Sequence, residues 1–236
     1  MRKVIYTVVV GGYDDVKPLP DFPGWDFILL TDRKPSLWKR IFGRSSWQVR
    51  LFDNPGFDLT RFSRLPKLKP HLFLSEYDYS VYVDGNAALD RDPLGLLDTL
   101  DWPDFAVADH PFRDNLYDEF RECSSLGYDD VAVFARQEAK YRSAGLSDPA
   151  PLYENNLILR RHNKEAVKAI GDAWFAELCE ESKRDQLSLP YVCWRDGFSP
   201  LTFPQSLKRQ YFRTRSHYRS LWQRLGRSIR KRVGKK

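Results

Sequence analysis

The chain has 236 residues, 42% hydrophobic and 14% aromatic, which supports a buried core and excludes general disorder; its formal net charge is +6. That charge is unevenly divided: residues 207–236 carry twelve Lys/Arg and no acid, leaving 26 Lys+Arg against 32 Asp+Glu in the first 206. An acidic body argues against a dedicated nucleic-acid-binding domain, whose fold would show its own basic face, and no apolar run approaches the roughly 18 to 20 residues of a membrane span.

Residues 4–10 form a continuous, β-branched run, as expected of a strand covered on both faces. They only faintly resemble a signal peptide, because the run leads straight into Gly11-Gly12 without a small-x-small cleavage site. Residues 27–31 read as a second buried strand closing on Asp32, and residues 47–51 alternate like an edge strand. Residues 60–77 look mostly helical, bent or divided by Pro66 and Pro70. Residues 79–83 form another strand, followed at once by Asp84-Gly85-Asn86.

Pro93 opens a helix to Leu100. Residues 105–108 form a strand, residues 113–125 and 129–144 form helices broken around Gly127, and residues 157–159 are short and apolar. Residues 163–181 have helical spacing through Val167, Ile170, Trp174 and Leu178, with Asn163 as N-cap. Three cysteines, Cys123, Cys179 and Cys193, suit core packing in a reducing cytoplasm better than disulfides or a zinc site. Strands alternating with helices predict an α/β layered fold with a mainly parallel sheet. Ligands of such sheets lie beyond the carboxyl ends of the strands, here residues 11–15, Thr31-Asp32, residues 84–86 and Asp109-His110.

In Tyr82-Val83-Asp84-Gly85-Asn86, a strand delivers a carboxylate and, two residues on, an amide oxygen. Oxygen ligands at that spacing can grip Mg²⁺ or Mn²⁺, although Asp-Gly-Asn is also a good turn sequence. Arg64, Lys67 and His71 share a helical face by i, i+3, i+7 spacing, and could hold phosphate oxygens or form a solvated basic face. Asp109-His110-Pro111-Phe112-Arg113 places a carboxylate, an imidazole and a guanidinium at a strand end. In Arg184-Asp185-Gln186, Asp185 could be general base, nucleophile or charge stabiliser, or simply an N-cap. Gly-x-Gly-x-x-Gly, phosphate-loop and Gly-x-Ser-x-Gly signatures do not occur, which weakens dinucleotide enzymes, nucleotide triphosphatases and serine hydrolases.

Taken in order, six motifs resemble one family: residues 6–14, Pro66-Lys67 with Pro70-His71, residues 77–86, His110-Pro111 with Arg113, Tyr117 and Glu119, Glu154-Asn155-Asn156, and residues 184–188. It is the glycosyltransferase-like family long classed as a domain of unknown function, shared by plant pectin- and mucilage-related proteins and bacterial polysaccharide clusters. The resemblance spans roughly residues 4–205. It implies a GT-A fold, an α/β/α sandwich in which a divalent metal, Mn²⁺ or Mg²⁺, holds the diphosphate of a nucleotide-sugar donor. By that resemblance Asp84 matches the first Asp of the Asp-x-Asp element, with Gly85 between, whereas Asn86 departs from the second. Val10, Gly11, Tyr13, Asp14, Thr31 and Asp32 match the loops for base and ribose. Arg64, Lys67, His71, His110, Arg113 and Asn155 are expected on the donor side. Asp185, with Arg184 and Gln186, matches the element near the anomeric carbon, and Asp185 or Glu154 would act on the acceptor or the anomeric centre. His217 is the candidate third metal ligand.

From Tyr218 on, Leu221, Trp222, Leu225, Ile229 and Val233 share one helical face, with Arg and Lys filling most of the rest. Such an amphipathic basic helix suits an anionic membrane surface; packing back onto the acidic body and RNA binding are the alternatives. The expected organisation is a GT-A-like domain over residues 1–206 and a basic tail over 207–236. The expected activity is transfer of a sugar to a glycan or lipid-linked acceptor in polysaccharide biosynthesis, peripherally at the inner, cytoplasmic face of the membrane. Competing readings are a non-catalytic or lipid-acting GT-A-like protein and, more weakly, a nucleic-acid-binding protein using the tail.

Overall fold

The run after Arg2 forms β1 (Lys3–Val9), whose last six residues are all buried, as continuous apolar composition requires of a strand covered on both sides. It pairs in parallel with β2 (Asp26–Thr31) and β4 (Tyr79–Val83), and β2 pairs in parallel with β3 (Gln48–Leu51) at the sheet edge. The computed structural model describes residues 1–12, 16, 20–34 and 47–214. Tyr13, Asp14, His217 and the amphipathic run from Tyr218 therefore lie outside the described residues.

The seven-stranded sheet has the order β3-β2-β1-β4-β7-β6-β8, with β6 (Phe105–Asp109), β7 (Tyr153–Arg160) and β8 (Leu201–Phe203). β7 runs antiparallel to both β4 and β6, while β6 and β8 are parallel. The sheet is mainly parallel, as the alternation of elements predicts. β7 extends well beyond the apolar triplet at 157–159, because it also takes up the polar residues Glu154, Asn155 and Asn156. Its reversed direction brings its first half to the carboxyl ends of β4 and β6. Leu157 lies opposite Val83, and a bulge after Val107 sets Glu154 opposite Ala108.

Helix α1 (Leu59–Leu68) starts where the Asp58 side chain accepts from the Thr60 and Arg61 amides. It tolerates Pro66 but ends before Pro70, and a 3-10 turn (Pro70–Leu72) follows. The remaining helices among the described residues are α2 (Leu94–Thr99), α3 (Leu116–Leu126), α4 (Val131–Ala144), α5 (Glu165–Glu180), α6 (Asp185–Arg195) and α7 (Gln205–Lys208). Gly127 ends α3 at φ +64°, the left-handed conformation that its lack of a Cβ permits. Lys164, not Asn163, is the N-cap of α5; the Asn163 amide instead donates to the Ser75 and Tyr77 carbonyls at 2.9 and 2.8 Å.

Two cores cover the two faces of the sheet. On one, Val4, Tyr6 and Val8 pack with Phe62 and Leu68 of α1, Phe120 of α3, Phe134 of α4, Trp174 of α5 and Leu187 of α6. On the other, Ile5, Phe27, Tyr79 and Val81 meet Trp25, Leu96 and Leu97 of α2, and Phe212. Phe212 belongs to β9 (Phe212–Thr214), which pairs antiparallel with β5 (Ala87–Leu89) as a separate ribbon. Residues 207–214, grouped with the tail by charge, thus fold against the body: Phe212 and Lys208 are buried. Charge counts register composition and are blind to such packing. Cys123 and Cys193 are buried and Cys179 half-buried, all as free thiols. Among the described residues no helix is long and apolar enough to cross a membrane.

Candidate functional site

β4 carries Asp84 to the centre of the sheet's carboxyl edge. The Asp84 amide donates to the Asn156 carbonyl at 3.0 Å, and the Ala87 amide donates to the Asp84 carbonyl at 2.8 Å, closing the Asp84-Gly85-Asn86 turn. Tyr82, two residues earlier on the same side of the strand, donates its hydroxyl to Asp84 Oδ1 at 2.6 Å.

The last turn of α1 brings Lys67 to this point. Its Nζ lies 2.7 Å from Asp185 Oδ2 and 3.5 Å from Asp84 Oδ1, with the side chain only 3% exposed. Arg64, one helical turn earlier, donates from Nε to Asp185 Oδ1 at 3.2 Å. Arg160 anchors the backbone beneath, donating to the Tyr6 hydroxyl and the Lys67 carbonyl. Burial disfavours the Asp185 carboxylate, but Lys67 and then Arg64 outweigh it and hold Asp185 well below the usual carboxylate range. Arg184 is the N-cap of α6, and Asp185, its first residue, spends its carboxylate on the two cations. The Asp185 carbonyl accepts from Trp174 Nε1 at 2.8 Å and from Asn155 Nδ2 at 3.4 Å.

His71 does not join this cluster. Once α1 ends at Leu68 the i+7 relation lapses, and His71 Nε2 faces Asp172 of α5 at 3.4 Å. Arg113 and Arg184 converge elsewhere, on Glu119 of α3, at 2.7 and 3.7 Å. His110 sits beside them: Nδ1 accepts from the Arg113 amide at 3.1 Å, and Nε2 lies 4.0 Å from Glu119. Burial lowers the His110 pKa, and an accepting Nδ1 is what a neutral ring offers. Gln186 reaches back to the Tyr153 carbonyl at 3.0 Å and accepts from Arg184 at 3.4 Å.

A third group forms around Glu154. Oε1 accepts from Asn156 Nδ2 at 2.7 Å, and Oε2 accepts from Gln205 Nε2 at 2.7 Å and from Lys208 Nζ. At the ends of β1 and β2, the Gly11 amide donates to both Asp32 oxygens at 3.1 and 3.2 Å. Gly11 and Gly12 have φ near +66° and +68°, which keeps this loop tight. Val10 is a core residue, and Thr31 Oγ1 accepts from the Arg33 amide at 3.4 Å. Tyr82, Gln205 and Lys208 escape a reading of the sequence. Tyr82 had a signal, the i, i+2 alternation that aligns it with Asp84. Lys208 had none, as one lysine among twelve basic residues.

For a divalent cation, the described residues offer the Asp84 carboxylate, 31% exposed, and the Asn86 amide. Tyr82 and Lys67 both address Asp84 Oδ1. Hard oxygen donors two residues apart fit Mg²⁺ or Mn²⁺ if diphosphate and water supply the remaining ligands. Among the described residues no three His, Cys, Asp or Glu side chains are grouped to hold a metal.

The class defined here is an α/β sheet protein with its polar, charge-paired residues collected at the carboxyl edge, where such sheets bind ligands. The signature of the TOD1/MUCI70, glycosyltransferase-like domain matches residues 39–217, and the chain belongs to that family. It is 25% identical over 213 residues to "Probable hexosyltransferase MUCI70" of Arabidopsis thaliana, covering 80% of this chain and 36% of that protein. The chain thus spans little more than a third of that relative's length. Among solved structures, the apo WbbM bifunctional glycosyltransferase aligns with 84% of this chain and 38% of its own, at TM-score 0.49 and 12% identity.

Proposed function

We propose that this protein transfers a sugar from a nucleotide-sugar donor to a glycan or lipid-linked acceptor in polysaccharide biosynthesis, assisted by Mn²⁺ or Mg²⁺. The observation that carries the proposal is Asp84 at the centre of the sheet's carboxyl edge, linked to Asp185 through one buried lysine, in a chain of a glycosyltransferase-like family. The name of the Arabidopsis relative favours a hexose. Asp84 and Asn86 would hold the cation, with His217 as a candidate third ligand. A cation held there would supply neutralisation of charge on the departing nucleoside diphosphate.

The chain's own residues divide the remaining work. Asp185, held in its carboxylate form by Lys67 and Arg64, fixes both cations in return. Arg64, a quarter exposed, is the cation of that group that diphosphate oxygens can reach. A carboxylate held so far below its usual pKa is a poor general base, which makes Asp185 a fixed countercharge near the anomeric centre. Glu154 faces the acceptor side. The Gly11–Asp32 loop takes the base and ribose. The basic tail would place the site at the inner, cytoplasmic face of a membrane.

A thermal-shift panel of nucleoside diphosphates and nucleotide sugars, with and without Mn²⁺, tests this reading. The expected result is a metal-dependent rise for one nucleotide that disappears in Asp84→Ala. No shift with any nucleotide contradicts it. Asn86 in place of a second Asp favours a second reading, a GT-A-like protein that binds without transferring. That reading requires nucleotide binding with no release of nucleoside diphosphate from any sugar donor and acceptor.

A further inference from the structure

The segment at 204–214 reaches back into the carboxyl edge of the sheet. Lys208 is 3% exposed, and its Nζ donates to Glu154 Oε2 and to Asn156 Oδ1, the latter at 2.6 Å. Gln205, three residues earlier, donates to the same Glu154 oxygen at 2.7 Å and to the Asp109 carbonyl. Asn156 completes the link to Asp84 through its carbonyl, which accepts the Asp84 amide at 3.0 Å. On the other side of the turn, β5 begins at Ala87 and is held by β9, with Ala87 opposite Thr214 and Leu89 opposite Phe212. The Asp90 amide adds a bond to the Tyr211 carbonyl at 2.8 Å. The Asp84-Gly85-Asn86 turn is therefore set from both ends by residues of 205–214.

Burying an ammonium in this place is costly, and burial depresses the Lys208 pKa against the pull of Glu154. An apolar side chain of the same length would lie against Phe212, whose ring centroid is 4.7 Å from Nζ, without that cost. What the ammonium adds is direction: two acceptors from β7 are fixed at defined positions beside Asp84. We infer that Lys208 is a positioning residue of the donor site, acting through Glu154 and Asn156 on the Asp84–Asn86 turn. The inference rests on the sugar-transfer reading above for its function, and on the hydrogen bonds alone for its structural part.

Lys208→Met and Lys208→Arg test it in the full chain. The readouts are amide exchange of residues 84–90, the unfolding midpoint, and affinity for Mn²⁺ with the nucleoside diphosphate that stabilises the parent most. Lys208→Met is expected to unfold cooperatively yet exchange faster at 84–90 and bind Mn²⁺–nucleotide about tenfold more weakly, the scale seen when outer partners of metal ligands are removed. Lys208→Arg should recover most of both losses, which lost packing alone would not produce. Parent-like exchange at 84–90 in a folded Lys208→Met protein overturns the inference. If Lys208→Met does not fold, Gln205→Ala removes one Glu154 donor from a half-buried position and should show a smaller change in the same direction; no change there overturns it equally. If the parent binds no nucleotide, the sugar-transfer reading fails by itself, and the exchange comparison still decides whether Lys208 sets the turn.

Discussion

Lys67 stands between two carboxylates, so its loss has consequences on both sides. Lys67→Met takes from the buried Asp185 its nearest cation and leaves Arg64 as the paired one. Breaking a buried pair from one side costs about 3–5 kcal/mol, so a clear fall in the urea midpoint is expected. A loss below about 1 kcal/mol, the scale of a solvated pair, would show that the pairing contributes little. Acid titration separates this pair from a second group. Asp185 has a depressed folded pKa, so its contribution is present above the ordinary carboxylate value of about 3.9 and drains away as pH falls below it. His162 is buried, donates from Nε2 to the Leu74 carbonyl at 2.8 Å, and is pushed down to about 4, chiefly by burial. An unfolded histidine takes its proton near 6.5, so stability is lost between about 6.5 and 4, on the order of 3 kcal/mol. His162→Asn should flatten that limb of the stability curve while leaving the limb below it; an unchanged slope between pH 6.5 and 4 contradicts the assignment.

At the scale of elements, α1, β7 and the segment 205–214 carry the site. α1 and α5 pack closely because Gly171 has no Cβ; one built there would lie 2.6 Å from the Leu68 carbonyl oxygen. Gly171→Ala should therefore destabilise by about 1–3 kcal/mol through overpacking and disturb the end of α1 that presents Lys67. A parent-like melting temperature would show that the helices give way freely. Ending the chain after Thr214 should preserve the melting temperature, whereas ending it after Pro204 removes Lys208 and β9 and should lower it by many degrees. Much of this architecture is legible in the sequence: β4 is bounded as its apolar run suggests, and Gly127 divides α3 from α4. Three features are not. The i, i+7 placement of His71 presumes a helix that Pro70 ends. Asn163 has the chemistry of an N-cap but finds two carbonyls outside the helix. Glu154 and Asn156 fall outside the apolar triplet at 157–159, because no periodicity announces a polar strand inserted antiparallel between β4 and β6.

For the whole molecule, the +6 net charge is the sum of an acidic body and a basic tail, and the body's basic residues are placed individually. Arg64, Lys67, Lys208, Arg113 and Arg184 each meet a carboxylate at or near the carboxyl edge of the sheet. The division of labour predicts separable losses: removing residues 215–236 should abolish binding to anionic liposomes, and liposome binding that survives the deletion contradicts a membrane role for the tail. The central claim is that Asp84 helps to hold a metal–nucleotide complex for sugar transfer. Calorimetric titration of the full chain with the stabilising nucleoside diphosphate in Mn²⁺, beside Asp84→Ala, measures it most directly. The expected result is saturable, Mn²⁺-dependent binding weakened at least about tenfold in the variant, the cost typical of disturbing a metal site. Binding that is equally tight in Asp84→Ala, or that is indifferent to Mn²⁺, would contradict it.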